Sequence, residues 1–304
     1  MKQQKITPNL WFDNQAEEAA EFYISVFGEG SGITNITRYS EEGQEIHGRS
    51  AGSVMTVEFE LAGYKFIGLN GGPHFTFTPA ISFYVTYETE EEVDNIWRKL
   101  SGSGTTLMEL DKYDWSEKYG WVQDKYGLTW QISLGKLEDV GQKITPSLMY
   151  VDENGRAEEA VNLYTSIFNN SDITGILHYG AGQNQPEGSV MHSQFSLNDE
   201  VFMAMDTSPE HADYTFNEAV SLHINCESQE EIDYIWENFS ADTKAEQCGW
   251  LKDKFGVSWQ VVPTALYQML EDKDEEKVKR VTRAMLQMKK LDIKKLQEAY
   301  AGKI

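Results

Sequence analysis

The chain is written twice, and that duplication limits the folds open to it more than any other feature. Ile6-Thr7-Pro8-Asn9-Leu10 returns as Ile144-Thr145-Pro146-Ser147-Leu148, and Ala16-Glu17-Glu18-Ala19 returns as Ala157-Glu158-Glu159-Ala160. Further on, Trp121-Val122-Gln123-Asp124-Lys125-Tyr126-Gly127-Leu128-Thr129-Trp130-Gln131 returns as Trp250-Leu251-Lys252-Asp253-Lys254-Phe255-Gly256-Val257-Ser258-Trp259-Gln260. A unit this long is no solenoid repeat, which recurs every 20–50 residues. It is long enough to bury a core of its own. The expectation is two related domains, 1–137 and 138–263, followed by a helical tail, 264–304.

Periodicity fills in each copy. In copy one, 6–12 is apolar and bounded by Asp13-Asn14, a strand, while 16–27 sets Ala19, Ala20, Tyr23, Val26 and Phe27 on one helical face before Gly28. Strands follow over 33–39, 54–61 and 64–69, the last two joined at Ala62-Gly63. That βαβββ unit then recurs at half length. A strand over 81–87 precedes a helix with a capping-box start at Thr89 and Glu92, then strands over 105–110, 120–123 and 129–133. Copy two keeps the order, with a shorter stretch before Trp250 that trims one strand. After Pro263 the pattern turns helical, and Val278, Val281, Met285, Met288, Leu291 and Leu296 make a stripe suited to a core or a dimer seam.

Composition narrows the partners. The net charge of -23 repels phosphate backbones, and Lys and Arg cluster only over 277–295, interleaved with acids. Nucleic acid, which is bound through clustered cations, is therefore not expected. No apolar run approaches the roughly 20 residues of a membrane span. The expected location is the cytoplasm, since Met1-Lys2-Gln3-Gln4-Lys5 carries no signal peptide and the two cysteines, Cys226 and Cys248, form no disulfide framework.

The four βαβββ modules resemble the vicinal-oxygen-chelate superfamily of glyoxalase I, bleomycin-resistance proteins and extradiol dioxygenases. The resemblance is closer to its PhnB-like family, whose domain carries the name 3-demethylubiquinone-9 3-methyltransferase. It rests on Phe22-Tyr23 and Leu163-Tyr164, on Gly188-Ser189-Val190-Met191-His192, on the Trp-x-x-Asp-x-x-Gly-x-x-Trp-Gln run in both copies, and on the tail over 283–293. It implies an α+β fold of tandem domains, each pairing its own two modules into an open, curled barrel with helices outside and a ligand cavity inside. The chain has no glycine-rich strand-to-helix loop of the kind that cradles a nucleotide cofactor.

Strand alternation within that fold assigns the cavity linings. Thr56, Glu58 and Glu60 oppose Val57, Phe59 and Leu61, and His192, Gln194 and Ser196 oppose Phe195 and Leu197. The expected linings are Glu58, Tyr84 and Gln131 in copy one, and His192, Gln194, His223 and Gln260 in copy two. Tyr84, Trp115, Trp121 and Phe75-Thr76-Phe77 suit a flat ligand.

The metal positions that the resemblance implies fall at or near Pro8, Pro146, Gly68, Ala204, Ser82, Ser221, Gln131 and Gln260, which do not make a metal cage. No cofactor is expected. A divalent metal held by His192, His223 and Asp206 in the second domain stays open beside the reading of both histidines as hydrogen-bonded cavity residues. The leading expectation is a small-molecule-binding protein whose domains pair within one chain. The alternatives are a metal-dependent lyase, isomerase or dioxygenase, and a two-domain scaffold with vestigial cavities. A homodimer stays open.

Overall fold

The computed structural model describes residues 4–152, 155–183, 185–211 and 213–304. Copy one opens with β1 (Ile6–Phe12), α1 (Ala16–Phe27), β2 (Gly32–Arg38), the one-turn α2 (Gln44–His47), β3 (Val54–Leu61) and β4 (Tyr64–Asn70). Its second module is β5 (Ile81–Tyr87), α3 (Glu90–Ser101), β6 (Thr105–Tyr113), β7 (Ser116–Gln123) and β8 (Thr129–Leu134). The short α4 (Leu137–Val140) leads into copy two, which begins with β9 (Ile144–Val151), α5 (Ala157–Ile167), β10 (Asp172–His178), β11 (Val190–Leu197) and β12 (Glu200–Thr207). The last module is β13 (Val220–Cys226), α6 (Gln229–Phe239), β14 (Trp250–Lys252) and β15 (Ser258–Pro263). The tail is α7 (Thr264–Leu270), α8 (Glu275–Leu286) and α9 (Ile293–Tyr300).

The strands form two curled, open sheets, and each sheet takes one module from each copy. Sheet I runs β14-β15-β13-β1-β4-β3-β2, and sheet II runs β10-β11-β12-β9-β5-β8-β7-β6. Sheet I is one strand shorter, because β14 has no outer neighbour matching β6, the strand trimmed before Trp250. The seams are antiparallel: Ile6 lies opposite Ile224 and Leu10 opposite Val220, while Ile81 lies opposite Leu148. The sequence expectation paired the modules of one copy in one barrel, and here the structure differs. The two modules of a copy meet instead through their helix-bearing faces. Phe66 of sheet I touches Phe83 of sheet II edge to face at 5.0 Å, and Tyr23 of α1 packs on Trp130 of β8 at 5.4 Å. Copy two repeats the scheme with Tyr164, Phe239 and Trp259. Modules packed back to back cannot also be neighbours in one sheet. Their exposed first strands are covered by the other copy instead, which removes two open sheet edges.

The repeated tryptophan run is a structural latch. Asp124 Oδ1 accepts the backbone N–H groups of Tyr126 (2.8 Å) and Leu128 (3.1 Å), and Oδ2 accepts the Trp130 indole N–H (2.8 Å). Asp253 does the same for Phe255, Val257 and Trp259, and also accepts the Tyr164 hydroxyl at 2.7 Å. Burial pushes both carboxyl pKa values up, against the pull of these donors. With each tryptophan fixed on the helix side, the next residue, Gln131 or Gln260, is aimed at the concave side.

Two further repeats differ in an instructive way. Helix α5 starts on a carboxylate, Asp206, whereas α1 starts on an amide, Asn70, whose Oδ1 accepts the Ala16 N–H at 2.9 Å. The β3–β4 hairpin turns through Ala62-Gly63 with φ of 47° and 82°, and the β11–β12 hairpin turns through Asn198-Asp199 with φ of 52° and 63°. Alanine is costly in this left-handed region, and asparagine tolerates it. Ala62→Asn is expected to stabilise the chain by ~1 kcal/mol, read as a higher urea midpoint at unchanged slope. A lower midpoint would contradict this.

The tail packs within the chain. Val262, Leu266, Met269, Val281, Leu291 and Leu296 form a small second core, with Met285 and Met288 half-buried against it, so much of the helical stripe packs within the chain. A clasp closes the far side, where the Arg283 guanidinium donates to both carboxylate oxygens of Glu42, at 2.9 and 2.8 Å.

Candidate functional site

The cross-copy sheets reassign the expected cavity residues. Glu58, His223 and Gln260 share the concave face of sheet I, while Tyr84, Gln131, His192 and Gln194 share that of sheet II. Each concavity is thus composite, whereas sequence reasoning placed each set within one copy. Alternation assigns each residue to a strand face and cannot choose the strand's neighbours.

Sheet I is plugged by the tail. The Tyr267 hydroxyl of α7 lies 2.5 Å from His223 Nε2, and the Glu58 charge adds to the burial that raises the Tyr267 pKa. Gln260 donates to Ser221 Oγ at 2.9 Å. Burial drives the His223 pKa down to about 4, against the smaller opposing contacts of Gln260 and Asn225. The ring is therefore neutral at pH 7 and shares one hydrogen bond with the Tyr267 hydroxyl through Nε2.

A pH dependence follows. An unfolded histidine titrates near 6.5, so above that pH neither state gains a proton. Between pH 6.5 and about 4 the unfolded chain takes a proton that folded His223 refuses. This one group therefore removes up to about 1.4 kcal/mol of stability per pH unit as pH falls. Urea midpoints at pH 7, 6 and 5 should fall less steeply in His223→Gln than in the parent. Parallel slopes would count against it.

Sheet II is covered by no tail helix. Gln131 is held at its floor, donating to Ser82 Oγ at 2.7 Å and accepting the Tyr119 hydroxyl at 2.7 Å. Aromatic rings climb from there to the rim: Tyr84 to Tyr119 at 6.4 Å, Tyr119 to Tyr113 at 5.8 Å, and Tyr113 stacked on Trp115 at 4.9 Å. Trp115 is 66% exposed. On β11, His192 is solvent-exposed and Gln194 reaches the Asp139 and Val140 carbonyls at 3.4 Å. Neighbouring protein holds the His192 pKa below its ordinary value, and burial raises those of Tyr84 and Tyr119. Four buried polar atoms on this face, Thr86 Oγ1, Trp121 Nε1, Thr145 Oγ1 and Ser147 Oγ, have no hydrogen-bond partner in the protein.

Sequence reasoning missed Tyr119 and Tyr267. Tyr119 was legible, since it shares the face of Trp121 two residues on. Tyr267 was not, because nothing in the tail's pattern says which sheet it covers.

His192, His223 and Asp206 do not fit one divalent metal. His192 belongs to sheet II and His223 to sheet I, so the two imidazoles cannot meet. Asp206 lies on the helix side, where Oδ1 accepts Arg156 N–H (2.7 Å) and Ala157 N–H (2.8 Å) and Oδ2 accepts Val190 N–H (2.8 Å). Its lone pairs are spent on backbone donors. Among the described residues no three His, Cys, Asp or Glu side chains gather around a common point. No helix among them is long and apolar enough to cross a membrane.

Comparison with known proteins agrees with this architecture. The family model described as 3-demethylubiquinone-9 3-methyltransferase matches residues 4–133 and again 142–262. A Bacillus cereus protein titled a putative 3-demethylubiquinone-9 3-methyltransferase, PhnB protein, is 46% identical over 43% of this chain and 100% of its own, with a TM-score of 0.40. A Staphylococcus aureus protein is 31% identical over 45% of this chain and 100% of its own, with a TM-score of 0.19. Glyoxalase I from Zea mays is 8% identical, covers 84% of this chain and 90% of its own, and has a TM-score of 0.54, a likeness of fold alone. A search of the curated proteins finds no match. The chain belongs to the PhnB-like 3-demethylubiquinone-9 3-methyltransferase family, as a tandem duplication with the vicinal-oxygen-chelate fold.

Proposed function

We propose that this is a small-molecule-binding protein that holds its ligand in the concavity of sheet II. The observation that carries the reading is that the tail leaves this face uncovered, with Gln131, Ser82 and Tyr119 hydrogen-bonded at its floor and Trp115 exposed at its rim. Unpartnered buried polar atoms occur on both concave faces, on Thr86, Trp121, Thr145 and Ser147 here and on Asn9, His223 and Ser258 of sheet I, so they do not choose between the two. The ring series from Tyr84 to Trp115 gives sheet II a flat wall beside its polar floor, which suits a small aromatic ligand. Hydroxyls, amides, an indole and an imidazole make a recognition surface; the phenols are held protonated by burial, which favours hydrogen bonding to a ligand over proton abstraction from it.

Thermal-shift and native mass-spectrometric screening with small hydroxylated and carbonyl-bearing aromatics tests this. Hits should lose about tenfold in affinity in Ser147→Ala and in Gln194→Ala, the loss of one hydrogen bond each. Hits that bind all variants alike, or no hits at all, would count against a sheet II site.

A further inference from the structure

A separate pocket of ≈ 310 Å³ opens beyond the end of β1, between the β1–α1 loop, the β4–β5 connection and the β7–β8 turn. That volume is at the lower end for a small-molecule site, roughly 300–1,000 Å³. It lies outside the sheet II concavity and shares none of its polar floor.

Its walls are aromatic and held in place. The Trp11 ring stands perpendicular to Phe75 at 5.0 Å, and Phe12 meets Phe77 at 5.3 Å. The Trp11 indole N–H donates to the Gly72 carbonyl at 2.8 Å. The ring lies so close to Gly71 that a Cβ there would fall 2.2 Å from two indole carbons. Gly71 therefore keeps the space that the indole occupies, and the ring is fixed before any ligand arrives. Preorganisation of this kind lowers the entropic cost of binding.

The duplication marks these residues as special to this end of the molecule. The Phe12–Phe77 contact recurs in copy two as Tyr150–Phe216, at 5.1 Å. Trp11, by contrast, aligns with Met149, and His74 aligns with Asp213. Lys125, Thr76 and Phe77 keep counterparts in Lys254, Thr215 and Phe216, so it is Trp11 and His74 that set this end apart.

The rim carries charge as well. Lys125 Nζ sits over the Phe22 and Tyr126 rings at 4.6 and 4.8 Å and pairs with the Glu18 carboxylate at 3.6 Å, its side chain still 37% exposed. His74 lines the same rim. The acid in the lining, Asp13, is turned to Arg49, 3.1 Å away. The chain's overall negative charge acts from farther off and is screened beyond about 8 Å at physiological salt.

We infer that this pocket binds a planar aromatic acid, its ring packed on the pocket side of the touching Trp11–Phe75 pair and its carboxylate toward Lys125. Equilibrium dialysis of the full chain with 2-naphthoate, 2-naphthalenemethanol and 2-naphthylmethylammonium tests it. The acid should bind about tenfold more tightly than the alcohol, and the ammonium most weakly. Lys125→Gln should abolish the preference for the acid. Trp11→Ala, and independently Gly71→Ala, should weaken the acid and the alcohol alike by about tenfold or more. Tightest binding of the ammonium, or acid binding unaltered in both Trp11→Ala and Gly71→Ala, would overturn the assignment. Acid binding lost in Ser147→Ala and kept in Trp11→Ala would overturn it too, while supporting the sheet II site.

Discussion

Asp253→Ala is expected to cost the chain about 3–5 kcal/mol of stability, on the scale of breaking a buried charged network. The carboxylate is 4% exposed and accepts the Trp259 indole, the Tyr164 hydroxyl and two backbone N–H groups. Alanine removes every acceptor at once and leaves these donors buried, at about 1–3 kcal/mol for each one left unsatisfied. Relaxation of the turn returns part of that cost by letting water in. Asp124→Ala should follow the same course with a smaller loss, because no tyrosine hydroxyl bonds Asp124 with the geometry that Tyr164 has on Asp253. Urea unfolding of the two variants measures both. A loss below about 1 kcal/mol in Asp253→Ala would mean that the latch is dispensable.

Residues 1–137 alone should form a dimer. Their core is self-contained, with Tyr23, Phe66, Phe83 and Trp130 gathered between the two modules. Their β1 and β5 edges, however, would lose β13 and β9, which pair with them in the full chain. Two such halves can restore both seams by setting β1 of one beside β5 of the other, an isologous arrangement that closes on itself. Light scattering after gel filtration at micromolar concentration should give twice the half-chain mass. A stable monomer would show that the edges need no partner, and a polydisperse aggregate would show that the seams do not close.

The sequence was most legible where one residue pattern has one physical solution. Alternation in Val54–Leu61 placed Glu58 opposite Val57 and Phe59, and that is where it stands. The capping box at Thr89 forms, with Thr89 accepting the Glu92 N–H and donating to its carboxylate. The partition of strands between sheets was not legible, because β1 carries the same apolar face whether its neighbour is β5 or β13. Both solutions bury identical residues in each strand and differ only in what lies alongside. For the same reason the candidate linings were assigned by copy, and His192 and His223 were set together when the fold sends them to opposite faces. The role of Tyr267 depends on where a tail helix docks, which no local pattern encodes. Nothing in the apolar pattern of 6–12 marks Gly71 and Gly72 as the residues that hold the Trp11 ring.

The single tail has a consequence for symmetry. A dimer of identical halves would present two equivalent concavities, and any appended segment would occur twice and seal both. Fusing the halves into one chain leaves one C-terminus for two faces. Tyr267 can therefore close the face around His223 while the one around His192 stays open. Each face draws on both halves of the gene, so a substitution in either copy can reach either concavity. The two faces are free to diverge, each drawing its residues from both copies.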